Sequence, residues 1–251
     1  MPRFKRDHPS PRPPRRPSGP WQHGPFPVIG VIGGIGAGKS QVAACLAGLG
    51  AFLLDADAIG HVLLEQSPSR DRVLERFGEE VLEPFGEFGV RRAIDRRILG
   101  KLVFSSPEAL RDLEAILHPA MQRTFAKAIS REARKGNVPA VVLDAAILYE
   151  AGWDTLCDLV VFVDASPEIR LARLESSRGW TADALAAREK VQGPLEEKRR
   201  QADQIVTNEG SPEELRASVE TLWKTIVSRP RRRRASAPAE PGPADKGRTR
   251  Y

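Results

Sequence analysis

The chain alternates short apolar runs with longer segments in which apolar residues recur every three or four positions. The apolar runs lie at 28–32, 51–54, 138–143, 159–163 and 204–206. Continuous runs of this kind are typical of strands buried on both faces, and their alternation with helices predicts a parallel sheet. We therefore expect an α/β protein with a three-layer fold around a five-stranded parallel sheet.

The helical spacing predicts two additions to this core. Residues 58–135 are mostly helical in pattern, with one helix that we expect to end near Leu117, before Pro119. This stretch is longer than a crossover needs, so it predicts an inserted helical lobe that holds an acceptor substrate. Residues 167–202 contain three more helical segments, two of them joined at Gly179, and are the second addition.

A glycine-rich segment joins the first predicted strand to the first helix. It matches the pattern G-x-x-x-x-G-K-[ST] with Gly33, Gly34, Ile35, Gly36, Ala37, Gly38, Lys39 and Ser40. In such a P-loop, backbone N–H groups surround phosphate oxygens. We expect Lys39 to bridge the β and γ phosphates of ATP, Ser40 to bind Mg²⁺, and Gln41 to join the nucleotide-binding set. A flexible glycine turn is the alternative, which the strand-to-helix setting disfavours.

Two aspartates follow the second predicted strand. Transfer of a phosphoryl group to an alcohol needs a group that orients the hydroxyl and accepts its proton. We predict that Asp57 has this role, with Lys39 as the second catalytic residue. Asp55 lies two residues earlier, at the end of the strand itself, and is the less favoured candidate to face the γ-phosphate. The alternative is that Asp57 only caps a helix that begins near Ala58.

Two later strands also end in aspartate. Asp144 follows the run at 138–143 and is a candidate magnesium ligand through water, although a strand can end in aspartate without any such role. Asp164 ends the run at 159–163, and we expect it to help start the helix at Pro167.

The charge of the chain is concentrated at its two ends. The net charge is +6, of which residues 1–27 carry +5 and residues 228–251 carry +6, so residues 28–227 carry −5. The ends are rich in proline and arginine and poor in apolar residues, so we expect two disordered tails around one domain at 28–227. Nucleic acid binding is expected only nonspecifically, through these tails.

Neither a secretion signal nor a membrane span is predicted. No apolar segment follows the basic N-terminal residues, and no apolar run approaches about 18 residues. Cys45 and Cys157 show no zinc-ligand spacing and are expected to be reduced thiols. We therefore expect a cytoplasmic protein with no membrane partner, either a monomer or a small homo-oligomer.

Several segments together resemble the dephospho-CoA kinase family. The resemblance covers about 28–223 in the family's order, and its matching segments are 33–40, 50–59, 116–119, 150–152, 157–158, 194–199, 202–203 and 208–210. The D-A-D sequence at 55–57, L-H-P at 117–119 and P-x-E-x-K at 194–198 are more specific than the glycine loop. The resemblance implies ATP-dependent phosphorylation of the ribose 3′-hydroxyl of dephospho-CoA, the last step of coenzyme A synthesis.

The resemblance also implies roles for single residues. It assigns the base to Asp57, an adenine-side position to Asn208, and a position near the acceptor to His118, for which simple packing or capping is the alternative. The resemblance also implies that 167–202 form a lid that closes over ATP. The family's lid commonly reads R-D-G, whereas this chain reads Ser177, Arg178 and Gly179. The lid arginine is therefore Arg178, or else one of Arg173 and Arg188.

Two other functions stay open at this point. One is a P-loop kinase of another small metabolite, such as a nucleoside monophosphate or a shikimate-like acceptor. The other is a noncatalytic nucleotide-binding protein that holds RNA with its arginine tails.

Overall fold

The computed structural model describes residues 21–84, 92–189 and 193–227. All five strands are parallel, in the spatial order β2-β3-β1-β4-β5. The strands are β1 Val28–Gly33, β2 Phe52–Asp55, β3 Val141–Asp144, β4 Leu159–Asp164 and β5 Gln204–Thr207. The predicted α/β fold with a five-stranded parallel sheet is confirmed.

Helices fill the segments between these strands. In chain order they are α1 Lys39–Gly48, α2 Ala56–Leu64, α3 Ser69–Phe77, α4 Arg96–Ser105, α5 Pro107–Lys135, α6 Pro167–Arg178, α7 Ala182–Glu189, α8 Leu195–Gln201 and α9 Pro212–Val227. Two short 3₁₀ helices occupy Glu79–Val81 and Trp153–Leu156.

The helices form a layer on each face of the sheet. On one face, α1 and α9 pack through residues such as Val42 and Val219, both fully buried. On the other face, the C-terminal half of α5 packs Phe125 and Ile129 against the sheet. Burial on both faces explains why the strands β1, β3 and β4 are apolar along almost their whole length.

Helix α5 continues through Pro119, so the prediction that it ends near Leu117 is wrong. A proline inside a helix lacks the N–H donor and costs about 3 kcal/mol. Burial of large apolar side chains contributes about 1.5–3 kcal/mol each. The helix buries several of them on both sides of the proline, including Ile116, Met121, Phe125 and Ile129, so tertiary packing outweighs the local penalty.

The range 58–135 that was predicted as an inserted lobe contains two packing environments. One is a separate apolar cluster that runs from Leu64 to Ile116 and is formed by the end of α2, by α3 and α4, and by the first part of α5. Met121 already belongs to the cluster on the sheet. The second half of α5 is therefore part of the core and does not belong to the lobe.

The folded domain begins earlier than residue 28. Phe26 is fully buried in the core. The carboxylate of Asp158 accepts hydrogen bonds from the backbone N–H groups of Gln22, at 2.7 Å, and of Val28, at 2.8 Å. The expectation of disorder is thus corrected for residues 21–27, whereas residues 1–20 and 228–251 lie outside the described ranges.

Within the ranges that the structure describes, no helix is both long and apolar enough to cross a membrane. Cys45 is partly exposed and Cys157 is buried, and both are free thiols.

Candidate active site

The glycine loop lies between β1 and α1, at the carboxyl edge of the sheet. Gly33 has φ +154°, and a Cβ atom there would lie 2.5 Å from the carbonyl oxygen of Val163 on β4, so only glycine fits. Gly38 is the N-cap of α1 with φ +91°, and no side chain caps the helix. The first N–H groups of α1 are therefore available to an anion, as a phosphate site requires.

The Lys39 side chain is folded back onto the loop. Its ammonium donates hydrogen bonds to the carbonyl oxygens of Gly33 and Gly34, each at 3.2 Å. Burial lowers the pKa of Lys39, and the nearby carboxylates of Asp144 and Asp57 act in the opposite direction. The charges of both predicted carboxylates therefore act on the predicted catalytic lysine.

Ser40 and Asp144 meet directly. The hydroxyl of Ser40 donates a hydrogen bond of 2.9 Å to Oδ2 of Asp144. Burial raises the pKa of Asp144, the Ser40 hydrogen bond and the charge of Lys39 lower it, and the carboxylates of Asp55 and Asp57 raise it further. The predicted metal ligands thus lie side by side in a cluster of negative charge.

Asp55 and Asp57 have different surroundings. Asp55 is the N-cap of α2, where Oδ1 accepts a hydrogen bond of 2.9 Å from the N–H of Ala58. The capping role considered for Asp57 therefore belongs to Asp55. Asp57 is exposed in the first turn of α2, and its carboxylate makes no hydrogen bond with any described residue. This leaves the carboxylate able to accept a hydrogen bond from a bound alcohol.

The oxygen atoms of Ser40 and Asp144 suit a magnesium ion. Mg²⁺ in phosphoryl-transfer sites is commonly held by one or two carboxylates together with substrate phosphates and water. In the described ranges, no group of three or more His, Cys, Asp or Glu residues could hold a metal ion. A magnesium ion at this edge would therefore depend on the phosphates as well as on the protein.

The three candidate lid arginines occupy different places. Arg178 and Arg188 lie over the ring of Trp180, at 5.5 Å and 4.0 Å from its centroid. Arg173 lies against the loop, where Nη1 is 3.5 Å from the carbonyl oxygen of Ala37, and Nη2 donates to the backbone oxygen of Asn208 at 3.0 Å. Of the three, Arg173 is the one in contact with the phosphate loop.

Asn208 joins the end of β5 to the loop. It is 3% exposed. Its Nδ2 donates hydrogen bonds to the carbonyl oxygen of Ala37 at 2.8 Å and to Oε1 of Gln41 at 3.3 Å, and its Oδ1 lies 3.3 Å from a donor of Arg173. The side chain of Asn208 therefore stabilises the loop through hydrogen bonds. The resemblance assigns this residue to the adenine side of the nucleotide site.

Lys198 on α8 is a site residue that the sequence analysis did not single out. It is 5% exposed, and its ammonium bonds to the carbonyl oxygen of Ala146 at 3.0 Å and pairs with Glu150 at 2.6 Å. Its charge contributes to the lowered pKa of Lys39. The signal that could have identified Lys198 is its position in the P-x-E-x-K segment, because a single lysine in a polar helix has no distinctive pattern.

Asp164 does not start α6, so that expectation is wrong. Ser166 is the N-cap of α6, and its hydroxyl accepts from the N–H of Ile169 at 3.5 Å. Asp164 instead pairs with Nε of Arg199 at 3.0 Å. This pair connects the end of β4 to α8.

His118 packs against an aromatic residue on the face that carries α5. Its ring is 5.2 Å from the ring of Trp153, in an edge-on arrangement. Burial lowers the pKa of His118. One turn earlier, burial and the charge of Glu150 raise the pKa of Glu114. The packing role considered for His118 is therefore present in this structure.

Comparison with known proteins gives a consistent result. The family model described as Dephospho-CoA kinase matches residues 27–214. A protein of that name from Symbiobacterium thermophilum is 41% identical over 198 residues, which cover 78% of this chain and 80% of the relative. Another from Geobacter metallireducens is 38% identical over 203 residues, covering 80% and 98%.

Solved structures also share the fold. The crystal structure of TT1252 from Thermus thermophilus is 34% identical, with a TM-score of 0.66, and the match covers 81% of this chain and 98% of that one. A dephospho-CoA kinase from Campylobacter jejuni, at 24% identity and a TM-score of 0.54, has the same fold.

Proposed function

This chain belongs to the dephospho-CoA kinase family, and we propose that it transfers the γ-phosphoryl group of ATP directly to the ribose 3′-hydroxyl of dephospho-CoA. It is a transferase, and the family's reaction is the last step of coenzyme A synthesis. The products are coenzyme A and ADP. No covalent enzyme intermediate is involved in the proposed reaction.

One observation supports the proposed roles of the residues: Lys39, Asp144 and Asp57 follow or end neighbouring strands at the same carboxyl edge of the sheet, where Asp144 lies beside both Val31 and Asp55. The loop N–H groups and Lys39 bind the triphosphate and stabilise the charge that develops on it. Asp57 orients the acceptor hydroxyl and takes its proton as the oxygen–phosphorus bond forms. Positioning and charge stabilisation account for most of the acceleration.

Ser40 and Asp144 would hold the magnesium ion, Asp144 through water. A magnesium ion bound there would neutralise charge on the β and γ phosphates. The hydrogen bond between Ser40 and Asp144 supports this assignment, because it shows that both oxygens lie within reach of one ion.

The lobe at 64–116 is proposed to hold the acceptor, and the segment 167–202 is proposed to close over ATP. Closure would exclude water, which would otherwise compete with the acceptor for the phosphoryl group. Arg173 and Asn208 would lie on the nucleotide side of the closed site. The free thiols of Cys45 and Cys157 support a reducing compartment, so we propose a cytoplasmic location.

A coupled assay of ADP release tests the proposal. Purified full-length protein with Mg-ATP should release ADP at a rate that depends on dephospho-CoA, and the product should be coenzyme A. The same assay with a nucleoside monophosphate or with shikimate should give only the background rate. Phosphorylation of one of those acceptors, without phosphorylation of dephospho-CoA, would overturn the proposed substrate.

A further inference from the structure

Arg170 on α6 lies against the phosphate loop. It is 5% exposed. Its Nε donates to the carbonyl oxygen of Ala165 at 3.2 Å, and its Nη1 is 3.4 Å from the carbonyl oxygen of Ile35. A Cβ atom at Gly34 would lie 2.9 Å from this Nη1. The guanidinium is therefore in contact with the loop, and the missing side chain at Gly34 makes room for it.

The counter-ion of Arg170 comes from another helix. The same Nη1 forms an ion pair with the carboxylate of Glu189, the last residue of α7. Glu189 is about a quarter exposed, with a relative side-chain accessibility of 27%. The Nη2 of Arg170 makes no hydrogen bond with any described residue. A buried guanidinium thus has one described carboxylate partner, and that partner is half-buried beside a loop that binds phosphate.

Several positively charged side chains lie near the phosphate loop and would attract an anion to it. Arg170 and Lys198 both repel the ammonium of Lys39 and contribute to its lowered pKa. A cavity of about 270 Å³ opens beside the loop, and Gly34, Ala37 and Arg170 are among the residues that line it. An anion that reaches the loop therefore meets Lys39, Arg170 and Lys198, of which Arg170 is paired with a carboxylate from α7 and Lys198 with Glu150.

We propose that Arg170 is a further phosphate-binding residue, whose guanidinium exchanges the carboxylate of Glu189 for oxygens of the bound triphosphate. Arginine pairs with carboxylates and phosphates through the same planar arrangement of donors, and the phosphate has the greater charge. Glu189 then competes with ATP for one cation. The inference rests on the proposed function only in taking ATP as the ligand of the loop.

The alternative is that the ion pair of Arg170 and Glu189 is structural: it holds α6 and α7 together and stays formed when ATP binds. The two roles predict opposite effects of removing Glu189. If the carboxylate competes with ATP, its removal strengthens ATP binding, because Arg170 no longer has to break its ion pair with Glu189 before it binds phosphate. If the ion pair is structural, removal of the Glu189 carboxylate weakens ATP binding in the same way as removal of the Arg170 guanidinium.

Calorimetric titration of the full-length protein with Mg-ATP separates these roles. We expect R170Q to raise the Kd for ATP about tenfold, the scale of one lost charge-assisted hydrogen bond. We expect E189Q to lower the Kd about threefold. Arg200, exposed and paired with Glu197 on α8, provides the control R200Q, which should leave the Kd unchanged. Thermal unfolding of each variant reports whether it is folded.

Two results would overturn the inference, and a third would contradict the proposed function. An unchanged Kd in R170Q would show that Arg170 does not contact the nucleotide. An unchanged or raised Kd in E189Q would show that its carboxylate does not compete with ATP, and this variant decides the matter even if R170Q does not fold. Failure of the wild-type protein to bind ATP would contradict the proposed function itself.

Discussion

Ser40 and Asp144 are 104 residues apart in the chain, and a hydrogen bond of 2.9 Å joins them. Ser40 lies in the first turn of α1, and Asp144 is the last residue of β3. Strands β1 and β3 are neighbours in the sheet, with Val31 beside Asp144. The order of the strands therefore brings the serine that follows the glycine loop next to an acid from a distant part of the chain.

Removal of the Ser40 hydroxyl should weaken magnesium binding. We expect Ser40→Ala to raise the Mg²⁺ concentration needed for half-maximal activity about tenfold or more, since loss of groups around a metal typically costs 10–100-fold in affinity or activity. Steady-state rates over a magnesium titration measure this. Ser105→Ala, on the exposed end of α4, is the control and should follow the wild-type curve. Identical curves for all three proteins would remove Ser40 from the metal site.

Replacement of the proposed base should affect turnover far more than binding. Asp57→Asn should lower kcat about a hundredfold or more, the scale of a positioned acid or base, with nearly unchanged affinity for ATP. Asp55→Asn is a matched control two residues away, because asparagine caps a helix as well as aspartate does. We expect this control to retain most of its turnover. Equal turnover in Asp57→Asn and the wild type would count against the assignment.

The raised pKa of Asp144 predicts a pH-dependent stability. The ordinary value is 3.8, and burial raises it in the folded protein. The stabilising contribution of this group is therefore complete below about pH 3.8 and is lost as the pH rises through the folded-state pKa. Without magnesium, Asp144→Asn, which stays neutral, should have a Tm that increases relative to wild type from pH 4 to pH 8.

Thermal unfolding in the presence of a chelator measures this difference. Asp183→Asn removes a carboxylate from the exposed side of α7, and its Tm should stay parallel to that of the wild type. A Tm difference between Asp144→Asn and wild type that is constant over the pH range would contradict the prediction.

Loss of the Asn208 amide should loosen the phosphate loop. Asn208→Ala removes the 2.8 Å hydrogen bond to the carbonyl oxygen of Ala37 and leaves only the 3.5 Å contact from Arg173, and a poorly satisfied buried group costs about 1–3 kcal/mol. We expect a lower Tm and a higher Kd for ATP. Asn137→Ala, in the exposed turn after α5, should change neither quantity. A lower Tm with an unchanged Kd would restrict Asn208 to a role in stability.

Removal of both basic tails should leave catalysis intact. We expect a protein of residues 21–227 to keep its turnover and to lose the nonspecific affinity for RNA that the net charges of the ends predict. The N-terminal cut is placed before Trp21, because Gln22 and Phe26 belong to the folded domain. Turnover and RNA retention are measured on the same preparation. Loss of turnover on truncation would favour the RNA-binding function over the kinase.

The elements that the sequence predicted correctly are those with a local signal. The buried strands are continuous apolar runs. The glycines of the loop are recognisable because the backbone conformations at Gly33 and Gly38 are ones that other residues rarely adopt. The end of α5 was predicted wrongly, because the local rule for Pro119 takes no account of the burial on either side of it. Lys198 and Arg170 were not found, since their importance comes from residues far away in the chain.

The length of α5 limits how the enzyme can close. This helix has 29 residues, or about 43 Å at 1.5 Å per residue. Its first turns pack in the apolar cluster of α3 and α4 and its last turns pack in the core, so one continuous helix connects the two. An acceptor held by the proposed lobe would therefore keep a nearly constant distance from the core, and adjustment would have to come from the proposed lid, where α7 pairs with α6 through Glu189 and Arg170.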